Sequence, residues 1–285
     1  MAFTALSAAR LATLLQKIYP RQLAGSWDNT GLLLESAYTR VATAQSSLTK
    51  ILLCIDLTTS VCDEAINLDG CSHIISYHPI IFSGLKSLTL SNTQQRSLLR
   101  LAAAGISVYS PHTSIDAIQG GVNGMLSDCF RSTGEIKTSK CIEPCKVVPP
   151  GFEGAGAGRL ITLATPIALD SAIAGIKSSL SISHVQVARA TNKKDDEMIH
   201  TIALCAGSGG SVLKGLAADL IFTGELSHHE QLAFVEAGSH VVLCGHSNTE
   251  RPFLPSMKRQ IEDLCKEEHV QVVVSAADAS PFETV

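Results

Sequence analysis

From residue 50 onward, short apolar runs of β-branched character alternate with stretches whose apolar positions recur at helical spacing. Runs at 50–56, 73–77, 106–110, 159–164, 184–190, 200–205, 220–223, 240–244 and 270–275 predict strands, and stretches at 59–68, 92–104, 121–130, 168–179, 211–217, 227–236 and 250–268 predict helices. A strand followed by a helix, repeated along the chain, predicts α/β architecture with largely parallel strands. Ahead of this pattern, Leu11, Leu14, Leu15 and Ile18 form one apolar stripe that Pro20 stops, and at the far end Pro252 suits the first turn of the last helix.

The alternation breaks between Ser132 and Gly158, where Pro144, Pro149 and Pro150 are followed by Gly151, Gly154, Gly156 and Gly158. Such residues interrupt regular structure. The expected organisation is therefore an N-terminal α/β lobe at 1–131, a linker at 132–158 and a C-terminal α/β lobe at 159–285, with no repeat of short period.

Composition narrows the partners. With 285 residues and 45% hydrophobic side chains the chain can bury a sizeable core, and Lys+Arg 22 against Asp+Glu 26 leaves a net charge of -4. No broad basic footprint for nucleic acid exists, so nucleic acid is not the expected partner. The longest apolar runs, 51–55 and 240–244, fall far short of the roughly 20 residues of a membrane span, so the chain reads as soluble, with no membrane partner. Nine irregularly spaced cysteines read as reduced thiols, and Cys141 and Cys145 have three residues between them where a zinc or redox pair has two. The first 27 residues carry Arg10, Lys17 and Arg21 with no acid before Asp28, the composition of a mitochondrial presequence; the apolar stripe favours an ordinary first helix, and a cytoplasmic protein, over that alternative.

In open α/β sheets ligands bind beyond the carboxyl ends of the strands. The polar residues that follow the apolar runs here are His78, then His112 and Asp116, then Glu225, His228 and His229, then His246 and Glu250. Imidazole and carboxylate together suit a divalent transition metal such as zinc, manganese, iron or nickel, whereas an all-oxygen set would suit magnesium or calcium. His112-x-x-x-Asp116 and His246-x-x-x-Glu250 each put an imidazole at a strand end and a carboxylate one turn later. The competing reading makes each of them a cap or a hydrogen-bonded residue without metal. Gly207-Ser208-Gly209-Gly210-Ser211, between a strand and a helix, offers backbone N–H groups for an anion at Gly207, Ser208 and Gly209, or is a tight turn. Trp27 reads as a packing anchor, and Asp28 and Asn29, from the residues alone, as an Asx turn. His73, His184, His200, His240 and His269 read as structural, Cys54, Cys205 and Cys244 as core thiols, and 193–197 as a solvated charged turn.

The stretches Ser26-Trp27-Asp28-Asn29-Thr30-Gly31-Leu32, Tyr77-His78-Pro79-Ile80-Ile81-Phe82, Pro111-His112-Thr113-Ser114-Ile115-Asp116, Thr223-Gly224-Glu225-Leu226-Ser227-His228-His229 and Gly245-His246-Ser247-Asn248-Thr249-Glu250 resemble, in the same order, the NGG-one-interacting-factor-three family, also called GTP cyclohydrolase 1 type 2 homologues. The resemblance implies two similar α/β lobes with mainly parallel sheets facing across a metal-binding cleft, and a ring-shaped homohexamer. It implies metal ligands at His78, Asp116, His246 and Glu250, with His112 in or beside the shell, and Asp28 and Asn29 lining the cleft. Many bacterial members have two adjacent histidines at the first motif; Tyr77 stands at the first position here, which removes one ligand of a second ion. One or two divalent transition-metal ions with these ligands imply a hydrolase of a small phosphate-containing or nucleotide-like substrate, with His112, Glu225 and His229 as candidates to move a proton or position the substrate. The alternative is a non-catalytic protein that binds a transcriptional coactivator and uses the metal structurally.

Overall fold

In the computed structural model, which describes residues 6–40, 48–191 and 198–283, the strands in chain order are β1 (Gly31–Leu34), β2 (Thr49–Cys54), β3 (Cys71–Ser76), β4 (Ser107–Ser110), β5 (Ile136–Lys140), β6 (Glu143–Pro144), β7 (Gly156–Ala157), β8 (Arg159–Ala168), β9 (Gln186–Ala188), β10 (Met198–Ser208), β11 (Leu220–Glu225), β12 (His240–Leu243) and β13 (Val270–Val274). They fall into two compact α/β units, the first Met1–Ser114 with Leu254–Pro281 and the second Ile115–Phe253 with Phe282–Val285. The charged cluster at 193–197 lies outside the described residues, as do the first five residues of the N-terminal segment. Among the described residues no helix is long and apolar enough to cross a membrane.

The first unit holds a five-stranded sheet in the order β1-β4-β3-β2-β13. The pairings β4/β3, β3/β2 and β2/β13 are parallel, and β1 closes one edge antiparallel to β4. Both faces of β2 and β3 are covered, which is why they read as unbroken apolar runs. Leu52, Ile74 and Val108 pack with Val61, Leu98 and Leu101 from helices Thr59–Asn67 and Thr93–Ala103. Ile51, Leu53 and Ile75, which alternate with the strand residues of that cluster, are buried too. Helices Ala8–Leu15 and Leu254–Leu264 pack on one another, the first against β1 and the second against β2 and β13. Ser7, Thr58 and Asn92 cap their helices by accepting the N–H groups of Arg10, Val61 and Gln95.

The second unit holds a six-stranded sheet in the order β5-β8-β10-β11-β12-β9. Its centre, β10-β11-β12, is parallel, and β8, β5 and β9 add antiparallel flanks. Ala203, Ile221 and Val241 of the parallel centre pack with Leu213 and Phe234. The stretch expected as a linker forms β5, paired with β8, and the short pair β6/β7. The units divide instead at 114/115 and 253/254, because β13 pairs with β2 and so returns the last helix and strand to the first unit. The final helix starts at Leu254 rather than 250: 3-10 turns at Ser247–Thr249 and Arg251–Phe253 come first, and Pro252 sits in the second. Strand β1 escaped prediction because four residues at an edge carry too short a pattern.

Two buried ionisable groups fasten irregular segments onto this frame. The Arg159 guanidinium, only 3% exposed at the start of β8, donates to the carbonyls of Gly156 and Gly158 at 2.7 Å each, Ala117 at 3.2 Å and Ile118 at 2.9 Å. His73 on β3 is buried, and its Nε2 donates to the Leu6 carbonyl at 2.8 Å. Burial lowers the His73 pKa from the usual histidine value, and the Leu6 hydrogen bond only partly opposes this.

Arg159→Met strands those carbonyls and is expected to lower the unfolding free energy by about 3 kcal/mol, with Arg159→Lys recovering part of it in denaturant titrations. His73 is held neutral in the folded chain while the unfolded chain takes up its proton at about pH 6.5. Stability is therefore expected to fall as pH drops below that value, and His73→Asn to flatten this part of the thermal-denaturation profile relative to wild type.

Candidate metal centre

At the carboxyl ends of β2, β3 and β4 the first unit places Asp56, His78 and His112. The β2/β3 ladder continues past the strand ends, as the Tyr77 and His78 N–H groups donate to the Cys54 and Ile55 carbonyls at 2.9 and 3.0 Å. That carries His78 to Asp56, where Nδ1 lies 2.9 Å from Oδ1. A carboxylate only accepts, so Nδ1 is the donor and Nε2 keeps its lone pair in the neutral ring. The His112 Nδ1 donates likewise to Asp28 Oδ1 at 2.7 Å, and the Thr113 N–H and hydroxyl donate to Asp28 Oδ2 at 3.1 and 2.5 Å. Burial pushes the Asp28 pKa up, but the His112 hydrogen bond and charge together with the two Thr113 bonds outweigh it and hold the carboxyl below the usual range. His112 has φ +34°, a left-handed conformation that a branched framework must enforce. The two imidazoles meet edge to face with centroids 5.4 Å apart, and buried Tyr77 lies against both. A cavity of about 340 Å³ lined by Asp56, Thr58, Thr59, His78, Thr93 and Ser97 opens beside His78.

The second unit repeats the device. β11 ends in Glu225, and its Oε1 accepts from His246 Nδ1 at 2.8 Å beyond the end of β12. The other nitrogen, Nε2, lies 3.2 Å from Oε1 of Glu250, which is 3% exposed. With Nδ1 donating, a neutral His246 would turn a nitrogen lone pair onto an anionic oxygen, so either a proton or a cation belongs between them. Two ligands bound to one ion at about 2.0–2.2 Å take up such a separation. Gly207, with φ +61°, brings the end of β10 against this pair: a Cβ there would come within 2.6 Å of Glu250 Oε1 and 2.8 Å of His246 Nε2. The Gly207 N–H donates to Thr249 Oγ1 at 2.8 Å, and that hydroxyl donates to the His246 carbonyl at 2.7 Å. The donor set and the bare backbone facing it thus fit a divalent ion, to which His246 and Glu250 each offer a ligand atom.

Asp116 sits in the short helix Thr113–Ala117, whose end Arg159 clasps. Its charge and that of Glu250 both reach the Cys205 thiol, which burial first, and then Asp116, Glu143 and Glu250, push up. Of the proposed proton movers, His112 and Glu225 are tied to Asp28 and His246, while His229 lies exposed against His228 in the first turn of helix His228–Glu236. Asn29 donates from Nδ2 to the Ile81 carbonyl at 2.6 Å.

Three expectations change. Trp27 is 64% exposed and anchors no core. The 207–211 turn has spent the Gly207 and Gly209 N–H groups on Thr249 and Thr223, and the Glu230 carboxylate lies where a Gly210 Cβ would be, so it reads as a packed turn rather than an anion cradle. Asp56 was passed over because it closes an apolar run; an acid at that point in the pattern, paired with His78 at the end of the next strand, was the available signal. Among the histidines read as structural, His73 and His240 are buried, whereas His184, His200 and His269 are exposed. All nine cysteines are free thiols, and Cys54, Cys205 and Cys244 are buried.

Residues 6–281 match the family described as Duf34/NIF3 (NGG1p interacting factor 3). The chain belongs to this family. It is 44% identical to the Protein NIF3 homolog of Schizosaccharomyces pombe over 97% of this chain and 98% of that protein. It is 39% identical to NGG1-interacting factor 3 of Saccharomyces cerevisiae over 96% of this chain and 95% of that one. The crystal structure of Staphylococcus aureus hypothetical protein SA1388 is similar with TM-score 0.77 and 25% identity, covering 99% of this chain and 100% of the other.

Glu225→Gln is expected to weaken zinc or manganese affinity about 10–100-fold, as loss of an outer partner of a ligating histidine does. Gly207→Ala, which puts a methyl group against both ligand atoms, is expected to weaken it at least as much. Isothermal titration of the folded variants checks both.

Proposed function

We propose that the chain is a metal-dependent hydrolase of a small phosphate-containing or nucleotide-like substrate, with one or two divalent transition-metal ions, zinc, manganese, iron or nickel, held by His78, Asp116, His246 and Glu250. The observation that carries this reading is His246 Nε2 facing the buried Glu250 carboxylate across 3.2 Å beneath a bare glycine backbone, a separation that a shared cation fits. A divalent ion there supplies Lewis-acid polarisation and lowers the pKa of water to about 7.

The chain's own residues do the rest. Asp56 and Glu225 hold the rings of His78 and His246 through Nδ1 and so present Nε2 in one orientation. Asp28 does the same for His112, whose Nε2 takes or returns a proton at the substrate. The 340 Å³ cavity beside His78 lies within the range of small-molecule sites, about 300–1,000 Å³, and its Thr58, Thr59, Thr93 and Ser97 supply hydroxyls to a polar substrate. Tyr77, buried at the position of a family histidine, offers a phenol in place of an imidazole and makes one firmly held ion the expected content. The assembly that goes with this reading is a ring-shaped homohexamer.

A second reading draws on the Saccharomyces cerevisiae relative, whose name describes it as interacting with NGG1. By it the chain binds a protein partner, a transcriptional coactivator, and the metal holds the partner surface in shape.

Purified protein is expected to carry transition metal in elemental analysis and to hydrolyse a phosphoester in a screen, with chelator removing both metal and activity. His246→Ala and Glu250→Ala are expected to lose both, while His112→Ala keeps the metal and loses about 10²–10⁴-fold in turnover. Metal-loaded protein that turns over nothing, while all three variants still bind the coactivator partner, would replace this reading with the second.

A further inference from the structure

Trp27, the chain's single tryptophan, and Phe82 are 64% and 55% exposed, with ring centroids 6.0 Å apart and planes at 52°. Both rings are held in place although neither is buried. Gly25 lies against the indole so closely that a Cβ there would come within 2.9 Å of Nε1 and 3.0 Å of Cε2. The Gly25 N–H donates to Thr113 Oγ1 at 2.9 Å, and Thr113 in turn donates to Asp28. On the other side the Asn29 amide holds the Ile81 carbonyl, fixing the residue before Phe82 to the residue two beyond Trp27. The same Asp28 orients His112, and the His112 ring lies edge-on to the indole with centroids 6.1 Å apart. One hydrogen-bonded frame therefore sets both the imidazole and the exposed rings.

We infer that Trp27 and Phe82 form a stacking platform for a planar heteroaromatic ring, such as a nucleobase, carried by the substrate whose polar end meets His112. The inference rests on the reading of this site as one that takes a small substrate, and it adds the chemical class of that substrate's apolar part. At 6.0 Å the two aromatic rings leave no gap for a third, and with their planes 52° apart a planar ligand stacks on the open face of one ring and meets the other at an angle. Stacking supplies affinity to any heterocycle with a π face, so the platform selects a ring and leaves its identity to polar contacts. Leu85, Leu88 and Leu90 are also exposed further along the same stretch, which makes a second copy of the chain the competing occupant.

Because no other tryptophan is present, selectively excited indole emission reports on this platform alone. Adenosine added to the full-length protein is expected to quench it saturably, and ribose at the same concentrations is not. Phe82→Leu is expected to weaken adenosine binding about fivefold or more, the lower range for loss of one stacking aromatic, with zinc affinity unchanged. Quenching is expected in both metal-loaded and chelator-treated protein, so the platform survives if the metal-dependent hydrolase reading fails. Chelator-sensitive phosphoester hydrolysis without adenosine quenching overturns the platform and leaves that reading standing. Equal quenching by ribose, or emission that shifts with protein concentration and not with adenosine, also overturns it, the latter by placing a second copy on the rings.

Discussion

A carboxylate that grips the Nδ1–H of an imidazole at the end of a β-strand is the interaction on which the candidate site depends. Among the described residues it joins Asp56 to His78, Asp28 to His112 and Glu225 to His246. Each pair fixes a tautomer as well as a ring orientation, since the carboxylate has no proton to give. Without that grip a half-exposed histidine such as His246 would sample several rotamers and tautomers, and few of them would present Nε2 toward Glu250.

The sheets supply the grip. In parallel strands all carboxyl ends lie along one edge, so residues from separate parts of the chain arrive side by side. Asp56 and His78 follow the neighbouring strands β2 and β3, while Glu225 ends β11 and His246 follows its neighbour β12. Backbone constraints then refine the placement. Gly207 accepts a left-handed φ and a close approach that no side chain would permit, while His112 accepts a left-handed φ at a cost, about 1–3 kcal/mol, that the Asp28 and Thr113 bonds offset.

Arg159 links this edge to the rest of the second unit. Its guanidinium gathers carbonyls from the Gly-rich stretch before β8 and from the end of the helix that bears Asp116. A stretch rich in glycine and proline is thereby held by hydrogen bonds to a buried cation, which composition alone would not suggest. The exposed rings of Trp27 and Phe82 depend on the same economy of frame, being oriented by polar contacts of Gly25 and Asn29 and not by a core.

The alternation of apolar runs and helical stripes was enough to determine the α/β class, most strand positions and the strand-end histidines, because buried parallel strands must be apolar throughout and their polar followers stand out. His78, His112, His246 and Glu250 were visible for that reason. Tertiary structure alone decided that Asp56 and Glu225 hold histidines, that Trp27 is exposed, that the Gly207 and Gly209 N–H groups are spent on neighbouring threonines, and that the last strand returns to the first unit. Each of these depends on which strand lies beside which and on where a backbone turns. Pairing between distant segments leaves no periodic trace along the chain, so it becomes readable only once the strands are side by side.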